Sequence, residues 1–162
     1  MIKLIITGGT LDKHYNELNG KLYFPATHLP EMLKQARCHV EFETQQLMLK
    51  DSLEMIDADR EQIKQACIST ETQGIIITHG TDTMVDTAKY LASLANEKTI
   101  VLVGAMIPYT INQSDALFNL GCAVTAVQLL PAGIYITMNG KVFDWDKVTK
   151  DKKLGEFKSL GA

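Results

Sequence analysis

The sequence predicts a single doubly wound α/β domain, flavodoxin- or Rossmann-like, built on a parallel sheet. Short apolar runs alternate with longer stretches of helical period along all 162 residues. Four of those runs, at 2–6, 74–78, 99–103 and 133–137, are almost continuously apolar, as strands covered on both faces must be. Turns rich in glycine and threonine follow the first and third strands.

The elements follow in order. Residues 2–6 form a buried strand that stops at Gly8-Gly9. Residues 11–27 are polar and broken by Asn16, Asn19, Gly20 and Pro25, which predicts a lid or binding loop. A short helix covers 29–37, with Pro30 in its first turn. The alternation over 40–47 gives the second strand, and 52–55 is a connection. A helix covers 57–69, with Asp57 as its cap. The third strand is 74–78, and the turn His79-Gly80-Thr81-Asp82 leads into a helix over 83–95. Strand 99–103, a loop over 104–114, a helix over 115–130 and strand 133–137 complete the alternation. Asn139-Gly140 between extended runs is a hairpin signal. The lysine-rich tail from Asp146 gives no clear pattern.

Length and composition suit one soluble domain. The chain is 46% hydrophobic and 22% charged, with a net charge of -3, so nothing in the charge balance favours nucleic acid. No run approaches the roughly 20 apolar residues of a membrane span, and the apolar start is too short for a signal peptide. The expected location is the cytoplasm. Cys38, Cys67 and Cys122 are widely spaced and read as reduced packing residues. No histidine has partners at metal-ligand spacing, so neither metal nor cofactor is expected.

Five such strands commonly take the order 2-1-3-4-5, which puts strands one and three side by side at a switch point. Thr7-Gly8-Gly9-Thr10 and Thr78-His79-Gly80-Thr81-Asp82 would then face one another across a crevice. The glycines allow backbone amides to approach a ligand, and the neighbouring helix N-termini favour an anion. A threonine hydroxyl becomes a nucleophile only when a base takes its proton. Tyr15, Tyr23 or a lysine of lowered pKa are the candidate bases. These parts suit metal-free hydrolysis of an amide or ester, with backbone amides for an oxyanion. A phosphate-cradling turn is the alternative, but GxGxxG and GxxxxGK[ST] are both absent.

TGGT at 7–10, HGTDTM at 79–84 and VGAM at 103–106 together resemble the bacterial L-asparaginase family, in the family's order. QSDALFNLGCAV at 113–124, with Asp115 and Asn119, resembles the segment after the family's GAM motif, and DSLEM at 51–55 resembles its substrate-binding turn. VTK at 148–150 resembles the end of the family's N-terminal domain. The resemblance thus spans the chain as one domain, 1–162, of the family's N-terminal type, without its smaller C-terminal domain. It implies hydrolysis of L-asparagine to L-aspartate and ammonia through a threonine acyl-enzyme. Thr10 resembles the nucleophile and Thr81 the second catalytic threonine, paired with Lys150. Asp82 resembles the carboxylate for the substrate ammonium, and Ser52 the group for its α-carboxylate, with Gly9 and Gly80 lining the substrate. Tyr15 and Tyr23 both resemble lid tyrosines, Tyr15 being preferred.

Leu53 stands where the family has a polar residue, and Ile107 where it has arginine. The rivals to asparagine hydrolysis are another side-chain amide such as glutamine, a non-catalytic amino-acid-binding module, and an ammonia-supplying subunit of an amidotransferase. A homo-oligomer is expected, because apolar surface left by the absent domain needs cover. His79 reads as a residue that packs the HGTD turn, Met48, Met84, Met106 and Met138 as core fillers, and Trp145 as a packing residue.

Overall fold

The computed structural model of the chain describes residues 1–161. Its main sheet has six strands: β1 (Ile2–Gly8), β4 (Phe42–Lys50), β5 (Gly74–Thr78), β6 (Thr99–Val103), β7 (Gly133–Met138) and β8 (Lys141–Asp144). Between them lie two short strands, β2 (His14–Asn16) and β3 (Lys21–Tyr23), and four helices. The helices are α1 (Leu29–Gln35), α2 (Asp57–Ser69), α3 (Met84–Tyr90) and α4 (Ala116–Leu129). The spatial order is β4-β1-β5-β6-β7-β8, parallel except for β8. The five parallel strands therefore take the expected 2-1-3-4-5 arrangement. β8 returns antiparallel through Asn139-Gly140, both at positive φ (54° and 77°), the backbone a tight two-residue hairpin requires.

Strand alternation divides the core in two. Ile5, Ile75, Ile77, Ile100, Leu102, Ile134 and Ile136 pack under α2 and α3. Leu4, Ile6, Ile76, Val101 and Val103 pack under α1 and α4. Successive side chains point to opposite faces, so continuous apolar runs supply both layers at once.

Several boundaries differ from the sequence reading. The second strand runs on to Lys50, because its last residues pair with Gly8 after a register shift. The helix expected over 83–95 ends as α at Tyr90 and continues as a 3-10 turn, Ala92–Leu94. Asp57 does not cap α2; Ile56 occupies that position, and Asp59 reaches back to accept its N–H at 2.9 Å. Asp57 pairs instead with Arg60 at 3.0 Å. The segment expected as a lid or binding loop contains a small antiparallel hairpin, β2 on β3, rather than being irregular throughout. The lysine-rich tail forms a second hairpin, β9 (Val148–Asp151) on β10 (Glu156–Ser159), with Val148 and Phe157 buried in the core. Met106 is 38% exposed and so is not a core filler, unlike Met84 and Met138. Trp145 is partly buried against the core.

Candidate active site

The carboxyl ends of β1 and β5 meet as the topology requires. Lys3 to Ile6 pair with Ile75 to Thr78 in register, and the Thr7 hydroxyl donates to the Thr78 carbonyl at 2.7 Å. Beyond the strands the two turns touch backbone to backbone. A Cβ placed on Gly9 would lie 2.4 Å from the Gly80 nitrogen and 2.6 Å from the His79 carbonyl carbon. Gly9 has φ 82° and ψ 177°, a conformation that is essentially glycine-only. Thr10 follows at once, partly buried, opening a 3-10 turn from Thr10 to Asp12.

The HGTD turn is held from below by His79, which is fully buried. Its Nδ1 lies 2.8 Å from the Gly80 carbonyl, which can only accept, so Nδ1 carries the proton. Nε2 then accepts from the Thr87 hydroxyl at 2.7 Å. Burial, helped by the nearby Arg60 charge against the Gly80 bond and Asp86, lowers the imidazole to about 4. A neutral, doubly bonded histidine in the core packs and orients the turn above it, as the sequence suggested.

Lys150 reaches this turn from β9. Its ammonium donates to Thr81 Oγ1 at 2.8 Å and to Asp82 Oδ1 at 2.7 Å, with its side chain only 9% exposed. Thr81 is buried and Asp82 partly exposed. Thr81 Oγ1 also lies 3.6 Å from Met106 Sδ. Met106 is set in turn by Asp115, whose carboxylate accepts from the Met106 and Ile107 N–H groups at 3.0 Å. Asn119 ties Asp115, Gly104 and Asn139 into the same corner.

Ser52 is 1% exposed and sits beneath Gly80: a Cβ on Gly80 would meet Ser52 Oγ at 2.5 Å. The Thr83 hydroxyl donates to the Ser52 carbonyl at 2.8 Å. Leu53 beside it is 68% exposed. Among the described residues, Gly9, Gly80, Thr81, Asp82, Ser52 and Lys150 are thus linked by contacts between the two turns, the Ser52 turn and β9, and Thr10 adjoins them through its bond to Gly9. Two open grooves lie elsewhere, one of about 640 Å³ between α4 and β8 and one of about 630 Å³ beside Tyr109.

Tyr15 and Tyr23 are not joined to Thr10 by a hydrogen bond among the described residues. They occupy opposite faces of the hairpin, since His14 pairs with Tyr23 and Tyr15 with Leu22. Tyr23 stands edge-on to His14 at 5.9 Å, and His14 stacks on His28 at 6.0 Å. The Tyr15 hydroxyl reaches along the hairpin towards Gly20 at its tip. Three charged residues near the site were given no role in the sequence reading, although Asp51 opens the DSLEM run. Lys13 forms an ion pair with Asp51, beside Ser52, and lies over the Phe24 ring. Burial opposes ionisation of Asp51, but Lys13 and the Leu53 N–H hold its carboxyl below the usual range. Asp12 is fully buried, and burial raises its carboxyl above the usual range. Among the described residues no cluster of histidine, cysteine or carboxylate side chains could hold a metal ion. No described helix is long and apolar enough to cross a membrane.

A model of the family described as "Asparaginase, N-terminal" matches residues 1–160. The L-asparaginase of Thermococcus kodakarensis is 32% identical over 161 residues, covering 95% of this chain and 49% of that protein. Its solved structure, of a thermostable L-asparaginase, superposes with a TM-score of 0.86 over all of this chain and 52% of that one, at 31% identity. A probable cytoplasmic L-asparaginase from Campylobacter jejuni superposes with a TM-score of 0.81, at 30% identity over 98% of this chain and 52% of that one. A glutamyl-tRNA(Gln) amidotransferase polypeptide from Methanococcus vannielii is 32% identical over 154 residues, 88% of this chain and 35% of that protein. The chain spans about half or less of the length of these relatives.

Proposed function

This chain belongs to the asparaginase family through its N-terminal domain, and we propose that it hydrolyses the side-chain amide of L-asparagine to L-aspartate and ammonia. The observation that carries the proposal is the Lys150–Thr81–Asp82 cluster, fixed on a turn whose backbone abuts that of Gly9, one residue before Thr10. Two threonine hydroxyls, one of them in contact with a largely covered ammonium, then attend one crevice.

In the first step Thr10 Oγ bonds to the amide carbon as its proton passes to a base. The carbonyl oxygen takes up negative charge, and backbone N–H groups of the glycine turns are placed to stabilise it. The C–N bond then breaks, and the nitrogen leaves as ammonia carrying a proton. Water next attacks the acyl-threonine, returning the Thr10 hydroxyl and releasing aspartate. Lys150 holds the Thr81 oxygen as an acceptor, while the Thr81 proton lies towards Met106 Sδ at 3.6 Å, a weak bond that it exchanges for one to water. In this scheme Thr81 positions that water, whose proton passes to the departing Thr10 oxygen. Asp82 receives the substrate ammonium through the oxygen that Lys150 leaves free, and Ser52 receives the α-carboxylate once its hydroxyl turns from beneath Gly80. Tyr15 serves as the lid hydroxyl that relays the Thr10 proton, taking it up as it passes its own to the departing nitrogen. It shares a hairpin face with the extended residue Lys13, which points at the Ser52 turn, whereas Tyr23 is packed on His14.

The scheme uses no cofactor. The Campylobacter jejuni relative supports a cytoplasmic setting. An exposed apolar face, with Phe118 and Leu129 on α4 and Val142 on β8, supports a homo-oligomer. The amidotransferase relatives favour a second reading, in which the chain supplies ammonia to a partner polypeptide. One assay tests both. Purified chain incubated with asparagine should release ammonia, and Thr10→Ala should abolish the release. No ammonia from asparagine or glutamine removes the first reading, and activity only with a co-purified second polypeptide selects the other.

A further inference from the structure

Asp12 occupies a position unlike that of any other carboxylate in the described chain. It ends the 3-10 turn that Thr10 begins, and it is 0% exposed. Its Oδ1 accepts two hydrogen bonds from the far end of the lid, from the Thr27 hydroxyl at 3.0 Å and from the His28 N–H at 2.8 Å. Thr27 Oγ1 in turn accepts from the Leu29 N–H at 3.2 Å, in the first turn of α1. Leu29 and Met32 anchor that helix in the core. One carboxyl group therefore joins the turn of the nucleophile to the fixed end of the lid, and residues 13–26 form a loop closed across it.

A buried carboxyl is costly where an apolar side chain would fill the same space. The cost here is visible: Oδ2 is buried without a partner, and burial raises the carboxyl above its ordinary range. Packing alone does not account for such a residue, whereas a loop that must hold one geometry does. Closing it at the base removes much of its freedom, and bonds to a buried carboxyl oxygen resist opening more than bonds exposed to water.

We propose that Asp12 is a positioning residue that clasps the base of the lid, fixing the lid and the Thr10 turn relative to each other. The role rests on the hydrolytic reading above, because it assigns the lid tyrosine and Thr10 to one reaction. Asp12 touches neither substrate nor reacting atoms; it acts through the two segments it joins. The ends of the substrate are held by Ser52 and Asp82, both outside the lid, so loosening the clasp falls on kcat rather than KM.

The test compares Asp12→Ala, Asp12→Asn and Thr27→Val. Amide hydrogen exchange across residues 14–26 should quicken about tenfold or more in Asp12→Ala, and less in Thr27→Val, while β5 and β6 keep their protection. Asp12→Asn retains an acceptor oxygen and should recover most of the protection. In amide hydrolysis Asp12→Ala should lower kcat about tenfold or more, with KM changed by less than about threefold. Unchanged lid exchange in both Asp12→Ala and Thr27→Val overturns the proposal, as does faster exchange spread evenly over the sheet, or a loss confined to KM. If Asp12→Ala does not fold, Thr27→Val decides alone. A wild-type chain without hydrolytic activity would sink the proposed reaction, while the exchange result would still show whether the clasp exists.

Discussion

Gly9→Ala is the sharpest perturbation of the site, because Gly9 is where the two turns meet. The added methyl carbon would lie 2.4 Å from the Gly80 nitrogen and 2.6 Å from the His79 carbonyl carbon. Comfortable separations for such atoms are about 3.5 Å, so the backbones must part by roughly 1 Å. No side chain can rotate out of the way, since both obstacles are main chain. The backbone conformation adds to this, because φ 82° with ψ 177° costs a non-glycine residue about 1–3 kcal/mol. Overpacking adds about 1–3 kcal/mol more, giving an expected loss of roughly 2–6 kcal/mol in urea unfolding. The displacement falls on the vector between Thr10 and Thr81, and about 1 Å of misplacement lowers turnover about 100-fold. Ammonia release from asparagine by the folded variant measures it. Wild-type turnover together with wild-type stability would refute the claim that these turns form one site.

Three further expectations follow. Lys150→Met keeps the length of the side chain but removes the bonds to Thr81 and Asp82, and should lower kcat by about 10²–10⁴ in the same assay. His79 sets a pH window: its folded value of about 4 lies below the ordinary 6.5, so the unfolded chain takes up the proton first. Its contribution is complete above about pH 6.5 and lost as the pH falls towards 4, by roughly 3 kcal/mol; urea titrations of wild type and His79→Gln should show the variant without that slope. Gly121→Ala should raise stability by about 0.5–1 kcal/mol in thermal or urea unfolding, because it lies within α4 and a Cβ there meets nothing within 4 Å.

Much of this architecture was legible because the sheet repeats one simple signal. Ile75, Ile76 and Ile77 are apolar in succession because they face different layers, and such runs mark a strand buried on both sides. Once five such strands alternate with helices, the adjacency of the turns at Gly9 and Gly80 follows from topology. The ends of helices were less legible, since packing decides them; α3 tightens after Tyr90 so that Leu91 and Leu94 both reach the core. The charged contacts of the site were not legible from local pattern. Asp12 with Thr27, and Lys13 with Asp51, join residues 15 and 38 positions apart, and neither spacing has a helical or strand period. Met106 looked like a core filler because its side chain is apolar, yet Asp115 pulls its backbone to the rim of the site.

Lys150 shows where a stronger reading of the sequence was open. In the run of lysines around it, only its neighbourhood distinguishes it from Lys152 and Lys153. A strand over 148–151 would place Val148 and Lys150 on one face and Thr149 and Asp151 on the other. Val148 is buried, so Lys150 must point inward as well. The partner strand agrees, for Phe157 stands directly opposite Lys150 and is also buried, whereas Lys158 turns outward to Asp151. Lys152 and Lys153 fall in the connecting turn and remain exposed. An inward lysine needs an acceptor, and the hairpin delivers it to Thr81 and Asp82. The apolar anchors of a small terminal hairpin thus serve the chemistry: they hold one ammonium against the candidate site, and replacing Phe157 by a polar residue would displace Lys150 without touching it.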